Sequence, residues 1–270
     1  MIKNFFHGLN SLGISYLVVS GQATVFYGAA TFSEDIDLWL EPKIENWNKF
    51  FKFLGKIGAR VYKLTPPIRL EFIQKGHGFH FQLYSKSEKP SVWFLDVMGM
   101  LPRVGSFKHA FRNTIYEKTD WGELPFISIR DLVKIKKTRR LEDYPVISNL
   151  VRIEYEKLSS SSIKSGDWKW LLTNSFEVED ILEYLGSCKL VRRIADSLER
   201  QCLSFCLKAM SNPKQEERYI ELASKEIAVE IENLRREDRK YWGPIVSELK
   251  EMKESHQLLP LGSSPPGSVK

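Results

Sequence analysis

The chain has 270 residues, of which 43% are hydrophobic and 27% charged, the balance of one large or two modest soluble globular domains. A net charge of +6 favours polyanionic partners such as a nucleotide, RNA or DNA. The three cysteines form no CxxC pair, which argues against a disulfide scaffold and against a zinc site. No apolar run reaches the roughly 18 residues of a membrane span. We therefore expect a cytoplasmic protein without a membrane partner.

The first half of the chain alternates short helix and strand patterns. Apolar residues at helical spacing predict a helix from Ile2 to Leu12, and polar residues within it argue against a signal peptide. The predicted elements that follow are a strand at 16–19, a helix at 22–27, a strand at 35–40, a helix at 47–57, and strands at 60–63, 79–84 and 92–98. This order predicts an α/β or α+β fold, with helices packed on a mixed β-sheet.

The second half of the chain is predicted to be all-helical. Its predicted helices are 131–139, 146–158, 168–172, 178–185, 190–210 and 219–234, with breaks at Asn212-Pro213 and Gly243-Pro244. Four serines at 159–162 mark a loop or boundary, which we place between residues 145 and 165. We therefore predict a sheet domain at 1–150, a helical domain at 160–258 and a disordered tail at 259–270.

Two acidic residues share one face of the predicted strand at 35–40. Side chains alternate along a strand, so Asp35 and Asp37 point the same way, roughly 6–7 Å apart, while Ile36 and Leu38 face the core. Asp96 is the single acid in the apolar run 92–98, where a carboxylate needs a partner such as a metal or an arginine. An acid pair alone is often a surface feature or a loop cap, and the third acid favours a cation site instead.

A turn of small residues, Ser20-Gly21, ends the first predicted strand and precedes a helix. Its backbone N–H groups are suited to a phosphate, and Gly21 allows close approach of the backbone. Without the acids, an ordinary strand-to-helix turn is the simpler interpretation. His77 and His80 lie near a predicted turn, where a surface hairpin explains them better than a substrate-facing role.

The pattern Ser20-Gly21, Asp35-Ile36-Asp37 and Asp96 resembles that of the nucleotidyltransferase superfamily, which shares the DNA polymerase β fold. The local sequence is similar to the minimal bacterial branch that includes antibiotic-modifying and toxin-type enzymes. Two positions depart from the pattern, since the first small residue is commonly Gly and a basic residue is common where Thr31 stands. The resemblance covers roughly the first half of the chain.

The resemblance implies a catalytic domain at 1–150 that transfers a nucleoside monophosphate from an NTP to a hydroxyl. Asp35, Asp37 and Asp96 are then the ligands of Mg²⁺ or Mn²⁺, and Asp96 is the alternative candidate for the base. The acceptor is a small molecule, an RNA or a protein, and the basic charge favours a nucleic acid. In the implied site Ser20 and Gly21 bind the nucleotide.

The basic segment at 132–143 is the second candidate region. The resemblance implies a phosphate contact for Lys136, and it makes Arg140 a second nucleotide-binding candidate. A salt bridge from Arg140 to Asp143 is at least as good an interpretation.

Two other functions compete with this prediction. One is a catalytically weak nucleotide- or nucleic-acid-binding protein that retains the fold, which Thr31 favours. The other is a hydrolase that uses the acid pair, although a hydrolase does not need the preceding phosphate turn.

Overall fold

The structure is a computed structural model that describes residues 2–84, 91–159 and 163–269. Contacts group these residues into two compact units. The first unit contains the residues up to Ile135 and those from Lys240 onward, and the second contains Lys136–Arg239. This division falls earlier in the chain than the predicted domain boundary, and it assigns the end of the chain to the first unit. The predicted four-serine loop lies mostly outside the described residues.

The first unit is built on a mixed β-sheet. Its strands are β1 (Tyr16–Val18), β2 (Asp35–Leu40), β3 (Arg60–Val61), β4 (Gly78–Tyr84), β5 (Val92–Met98), β6 (Ile115–Thr119) and β7 (Gly122–Phe126). Within the described residues they form one seven-stranded sheet in the order β3-β4-β5-β2-β1-β7-β6. β2 and β5 are parallel neighbours, and β4 pairs antiparallel with β5. The sheet and its helices confirm the predicted α+β class with a helical C-terminal region.

Helices precede and follow these strands. Those at the start of the chain are α1 (Ile2–Ser11), α2 (Ser20–Phe26), α3 (Ile44–Lys56), α4 (Leu70–Lys75), α5 (Phe107–Arg112) and α6 (Ile129–Lys136). Those that follow are α7 (Asp143–Ser159), α8 (Ser165–Asn174), α9 (Val178–Ser187), α10 (Lys189–Asp196), α11 (Gln201–Ser211) and α12 (Glu216–Glu254), with a 3-10 turn at Pro213–Gln215. None of the helices in the described part of the chain combines the length and apolarity that spanning a membrane requires.

Aromatic side chains pack α3 against β4. The ring centroids of Trp47 and Phe79 lie 5.2 Å apart, those of Phe51 and Phe81 lie 6.1 Å apart, and all four side chains are buried. Because side chains alternate along a strand, burying Phe79 and Phe81 on this side turns His80 toward the opposite face of the sheet. The aromatic core therefore fixes which residues of β4 reach the other face.

The β6–β7 hairpin was not predicted from the sequence. Tyr116 and its neighbours on β6 are largely exposed, so the strand carries little hydrophobic signal. Pro125 also argues against a strand away from the sheet edge, because proline cannot donate a ladder hydrogen bond. The sheet accommodates Pro125 because β1 pairs with β7 only at Val18 and Phe126, so residue 125 need not donate a ladder hydrogen bond to β1.

Two helix predictions in the second half are wrong. The predicted helix at 190–210 is divided into α10 and α11. The division is stabilised by Arg200, whose guanidinium donates to the carbonyl oxygens of Leu172 and Ser175 and pairs with Glu230. The predicted break at Gly243-Pro244 lies inside α12, where burial of Ile245 and Met252 on the following turns holds the helix together.

The described residues after α12 form neither helix nor strand, but they hydrogen-bond to the edge of the sheet and to the segment that follows β3. Val61 of the short strand β3 donates to the carbonyl of Ser263 and accepts from the N–H of Gly262. The backbone of Leu259 donates to the carbonyl of Thr65. The prediction of a disordered tail at 259–270 did not anticipate these hydrogen bonds. The edge of a sheet leaves backbone groups unpaired, and the backbone of a polar segment can pair with them.

Candidate active site

The three predicted acids lie on one face of the sheet. In the parallel pairing of β2 with β5, Asp37 is directly opposite Asp96, so their side chains point to the same side. Asp35 stands two residues before Asp37 on that same face, and Ile36 and Leu38 are buried on the other. Neighbouring strands are about 4.8 Å apart, so the register brings acids from distant parts of the sequence into one cluster.

The turn at Ser20 and Gly21 adjoins this cluster. The N–H of Gly21 donates to Oδ2 of Asp37 at 3.4 Å. A β-carbon at Gly21 would run into Oγ of Ser33, so the turn packs against Ser33 too closely for a side chain, and it would lie 3.8 Å from that Asp37 oxygen, an ordinary contact distance. The structure therefore brings the small-residue turn and the first two acids together.

Ser20 has φ of 53°, the left-handed region that favours glycine. Its backbone carbonyl accepts the hydroxyl of Thr24 at 2.7 Å. The conformation gives a physical reason why glycine suits this position better than serine.

The hydrogen-bond partners of Asp96 are a histidine and a tyrosine rather than an arginine. Its Oδ1 lies 2.8 Å from Nδ1 of His80 and accepts the hydroxyl of Tyr62 at 3.4 Å. His80 is opposite Asp96 in the β4–β5 ladder, and the N–H of Tyr62 donates to the carbonyl of His80. Asp37, Asp96, His80 and Tyr62 thus form a row across neighbouring strands. The prediction that His80 belongs to a surface hairpin is wrong.

A lysine ammonium lies between two of the acids. Nζ of Lys63 is 3.8 Å from Oδ2 of Asp35 and 3.8 Å from Oδ2 of Asp96. It also lies 4.7 Å from the centroid of the Tyr62 ring, within the range of a cation–π contact. The acid cluster is therefore partly neutralised by a cation that belongs to the chain itself.

The electrostatics of the acids reflect their crowding. Burial, followed by the negative charge of Asp96, raises the pKa of Asp35 above its ordinary value, and the positive charges of Lys63 and His80 oppose that rise. Burial and the same carboxylates raise the pKa of Tyr62, so its hydroxyl stays protonated and can donate to Asp96. A site in which negative charge is costly in this way favours the binding of a cation.

The donors suit a hard divalent cation, because carboxylate oxygens are the ligands that Mg²⁺ and Mn²⁺ prefer. As the side chains stand, however, no group of three or more His, Cys, Asp and Glu residues within the described ranges is arranged to hold a metal ion. Asp35 and Asp96 are instead oriented toward Lys63. The carboxylates fit the chemistry of the cation, but the contacts of Asp35 and Asp96 with Lys63 would have to break for the cation to bind.

Lys136 and Arg140 lie in the second unit and form a cluster of their own. Nζ of Lys136 is 3.0 Å from Oδ1 of Asp143, and Nε of Arg140 is 2.9 Å from its Oδ2. Lys136 is only 8% exposed. The structure therefore contains the salt bridge between Arg140 and Asp143 that was the alternative interpretation. The ammonium of Lys136 is likewise held in an ion pair.

Comparisons with known proteins are sparse. No protein-family model and no curated protein matches the chain. The crystal structure of an antigenic nucleotidyltransferase-like protein from Paracoccidioides brasiliensis is similar over 64% of this chain and 91% of its own, with 11% sequence identity and a TM-score of 0.38. A similarity this distant carries no argument about function, so any assignment rests on the geometry of the site.

Two residues of the cluster, Tyr62 and Lys63, were missed in the sequence, and His80 was considered but assigned to a surface hairpin. The available signal was the alternation Phe79-His80-Phe81 beside the predicted strand that holds Asp96. Two apolar neighbours place His80 on the face opposite the core, but only the register of β4 on β5 brings it to Asp96.

Proposed function

We propose that the chain is a nucleotidyltransferase that transfers a nucleoside monophosphate from an NTP to a hydroxyl group and releases pyrophosphate. The observation that carries the proposal is the alignment of Asp37 with Asp96 on parallel strands, with Asp35 on the same face and Gly21 against Asp37. Three carboxylates on one face beside a backbone turn suit a metal-bound triphosphate better than a structural role, because Lys63 only partly offsets the repulsion among them.

Each residue has a role that follows from its position. Asp35 and Asp37 would hold Mg²⁺ or Mn²⁺, and Asp96 would complete the ligand set or accept the proton of the attacking hydroxyl. A divalent cation, when bound, neutralises the triphosphate and stabilises the leaving pyrophosphate. Ser20 and Gly21 would offer backbone N–H groups to the phosphates.

His80 and Tyr62 would position Asp96. Both contact the same carboxylate oxygen, Oδ1, which leaves Oδ2 on the side of Lys63 and Asp35. A carboxylate anchored at one oxygen cannot rotate without losing those contacts. We infer that this anchoring keeps the second oxygen directed toward the cation and the acceptor hydroxyl.

The test is transfer of label from each α-labelled NTP in the presence of Mg²⁺ and a cell extract. Wild type, Asp37→Asn and the matched control Glu117→Gln would be compared, since Glu117 is an exposed carboxylate on β6 of the same sheet. Transfer by wild type and by Glu117→Gln but not by Asp37→Asn supports the proposal, and the labelled molecule identifies the acceptor class. Equal transfer by all three proteins would remove Asp37 from the mechanism.

A second candidate, a nucleotide-binding protein with little activity, is favoured by one observation. Lys63 already neutralises Asp35 and Asp96 in the structure. If NTP binds and no acceptor becomes labelled in any extract, this candidate replaces the first. Release of phosphate from monoesters without NTP would instead favour a hydrolase.

A further inference from the structure

Lys63 differs from the other lysines that form ion pairs in the described residues, because it contacts two of the acids proposed to bind the cation. Its Nζ is equidistant from Asp35 and Asp96, at 3.8 Å from each. That separation is longer than a hydrogen bond, so the ammonium acts as a shared counter-ion rather than as a tight partner of one acid. It lies where a cation bridging those two carboxylates would lie.

The side chain of Lys63 is also able to leave. It is 48% exposed, and it lies two residues after the end of the short strand β3, in a segment without helix or strand before α4. Lys136 provides the contrast, because its ammonium is buried and 3.0 Å from Asp143. A long, half-exposed side chain with two loose ion-pair contacts and one cation–π contact, to Tyr62, can exchange partners at little cost.

We propose that Lys63 is the resident counter-ion of the site and is displaced when a divalent cation binds, after which its ammonium contacts the triphosphate. The inference rests on the proposed function for the acids as ligands of the divalent cation and for the triphosphate as the second ligand. Two like charges cannot share the space between Asp35 and Asp96, so the arrival of the divalent cation expels the ammonium. The triphosphate then supplies the nearest new negative charge.

This role for Lys63 bears on the departure at Thr31. The resemblance places a basic residue near that position, where threonine supplies a hydroxyl but no positive charge. Lys63 reaches the same cluster of acids from the segment that follows β3. The chain would thus retain a cationic phosphate contact while drawing it from a different part of the sequence.

The experiment measures binding of Mn²⁺ alone by electron paramagnetic resonance, without nucleotide, at fixed pH and salt. Lys63→Met removes the competing charge and should tighten Mn²⁺ binding about tenfold, while Lys63→Arg should leave it close to wild type. Lys52→Met is the matched control, since Lys52 is exposed on α3, and this variant should bind Mn²⁺ with the affinity of wild type. Asp35→Asn should abolish the tightening in the Lys63→Met background.

A second measurement follows the other half of the inference. Affinity for a non-hydrolysable NTP with Mg²⁺ should fall about tenfold in Lys63→Met, because the phosphate contact is lost. Circular dichroism would establish that each variant is folded, and Lys63→Gln would replace Lys63→Met if the latter is not.

The outcomes separate this inference from the proposed function. Equal Mn²⁺ affinity in wild type and Lys63→Met, or no Mn²⁺ binding by either protein, would overturn the role of Lys63, whether or not label is transferred. Tighter Mn²⁺ binding with unchanged NTP affinity would confine Lys63 to the counter-ion role and overturn its phosphate contact. Tighter Mn²⁺ binding and weaker NTP binding without transfer to any acceptor would support Lys63 and refute the transferase.

Discussion

Asp37 of β2 lies directly opposite Asp96 of β5, in a parallel register that runs from Asp35 opposite Phe94 to Trp39 opposite Met98. A slip of β2 by one residue would move Asp35 and Asp37 to the core face, away from Asp96, and would expose Ile36, which is fully buried. The hydrophobic core therefore enforces the meeting of the two carboxylates. The proximity of these acids is a consequence of the fold and does not depend on a ligand.

Replacing Gly21 with alanine should damage the site and the stability of the fold together. The new β-carbon would run into Oγ of Ser33 and would lie 3.0 Å from its β-carbon, so we expect a loss of about 1–3 kcal/mol in the free energy of unfolding. Transfer activity should fall as the turn moves away from Asp37. Urea unfolding and the labelling assay measure the two effects.

The matched control for Gly21 is Gly55 on α3. A β-carbon there meets no atom within 4 Å, so Gly55→Ala should raise the free energy of unfolding by about 0.5–1 kcal/mol and leave transfer unchanged. If Gly21→Ala behaves like Gly55→Ala, the close approach of the turn to Ser33 is refuted.

Replacing Ser20 with glycine should stabilise the protein. Serine at φ of 53° is strained and glycine is not, so we expect a gain of about 0.5–1 kcal/mol in the free energy of unfolding. Ala23→Gly, at a fully buried position of the same helix, should instead cost about 1 kcal/mol. A loss of stability on Ser20→Gly would show that the backbone at residue 20 is not left-handed.

Removing the charge of Asp143 should destabilise the second unit. Asp143→Asn leaves the buried ammonium of Lys136 without its counter-ion, at a cost of about 3–5 kcal/mol. The exposed neighbour Glu142→Gln should change the free energy of unfolding by less than about 0.5 kcal/mol. Chemical unfolding of both variants provides the comparison.

The same pair tests the predicted phosphate contact of Lys136. In the double variant with Lys136→Met and Asp143→Leu, apolar side chains replace the buried ions, and NTP affinity should equal that of wild type if the pair is structural. A tenfold loss of affinity in a folded double variant would return Lys136 to the nucleotide site.

Stability should fall in acid because of Asp143. Burial by itself would raise the pKa of this carboxyl, but Lys136, the hydroxyl of Thr138 and Arg140 together lower it below its ordinary value. A depressed pKa in the folded state contributes stability that is present above the unfolded value of about 3.9 and is lost as the pH falls through the folded value. The difference in unfolding free energy between wild type and Asp143→Asn should therefore narrow below about pH 4. A constant difference down to pH 2 would contradict this assignment.

The sequence predicted the parts of the site that depend on local patterns. The alternation in Asp35-Ile36-Asp37-Leu38 placed two acids on one face, and the apolar run around Asp96 indicated a strand. The turn at Gly21 followed from its small residues. Each of these signals lies within one short segment, where strand period and turn chemistry are sufficient.

The remaining parts depend on pairing between strands that are distant in sequence. His80 and Lys63 reach the acids only through the order β3-β4-β5-β2, which no local pattern specifies. The continuity of α12 through Pro244 likewise depends on tertiary contacts. Glu248, one turn later, lies 2.7 Å from Nε2 of the buried His77 and 2.6 Å from Nζ of Lys75. These contacts stabilise a helix that its proline would otherwise interrupt.

The most direct test of the account is Mn²⁺ binding in the presence of a non-hydrolysable NTP, measured for wild type, Asp37→Asn, Asp96→Asn and Glu117→Gln. The account predicts that each of the two site variants binds Mn²⁺ at least about tenfold more weakly, and that Glu117→Gln matches wild type. Wild-type affinity in Asp96→Asn would contradict the claim that acids from β2 and β5 share one cation.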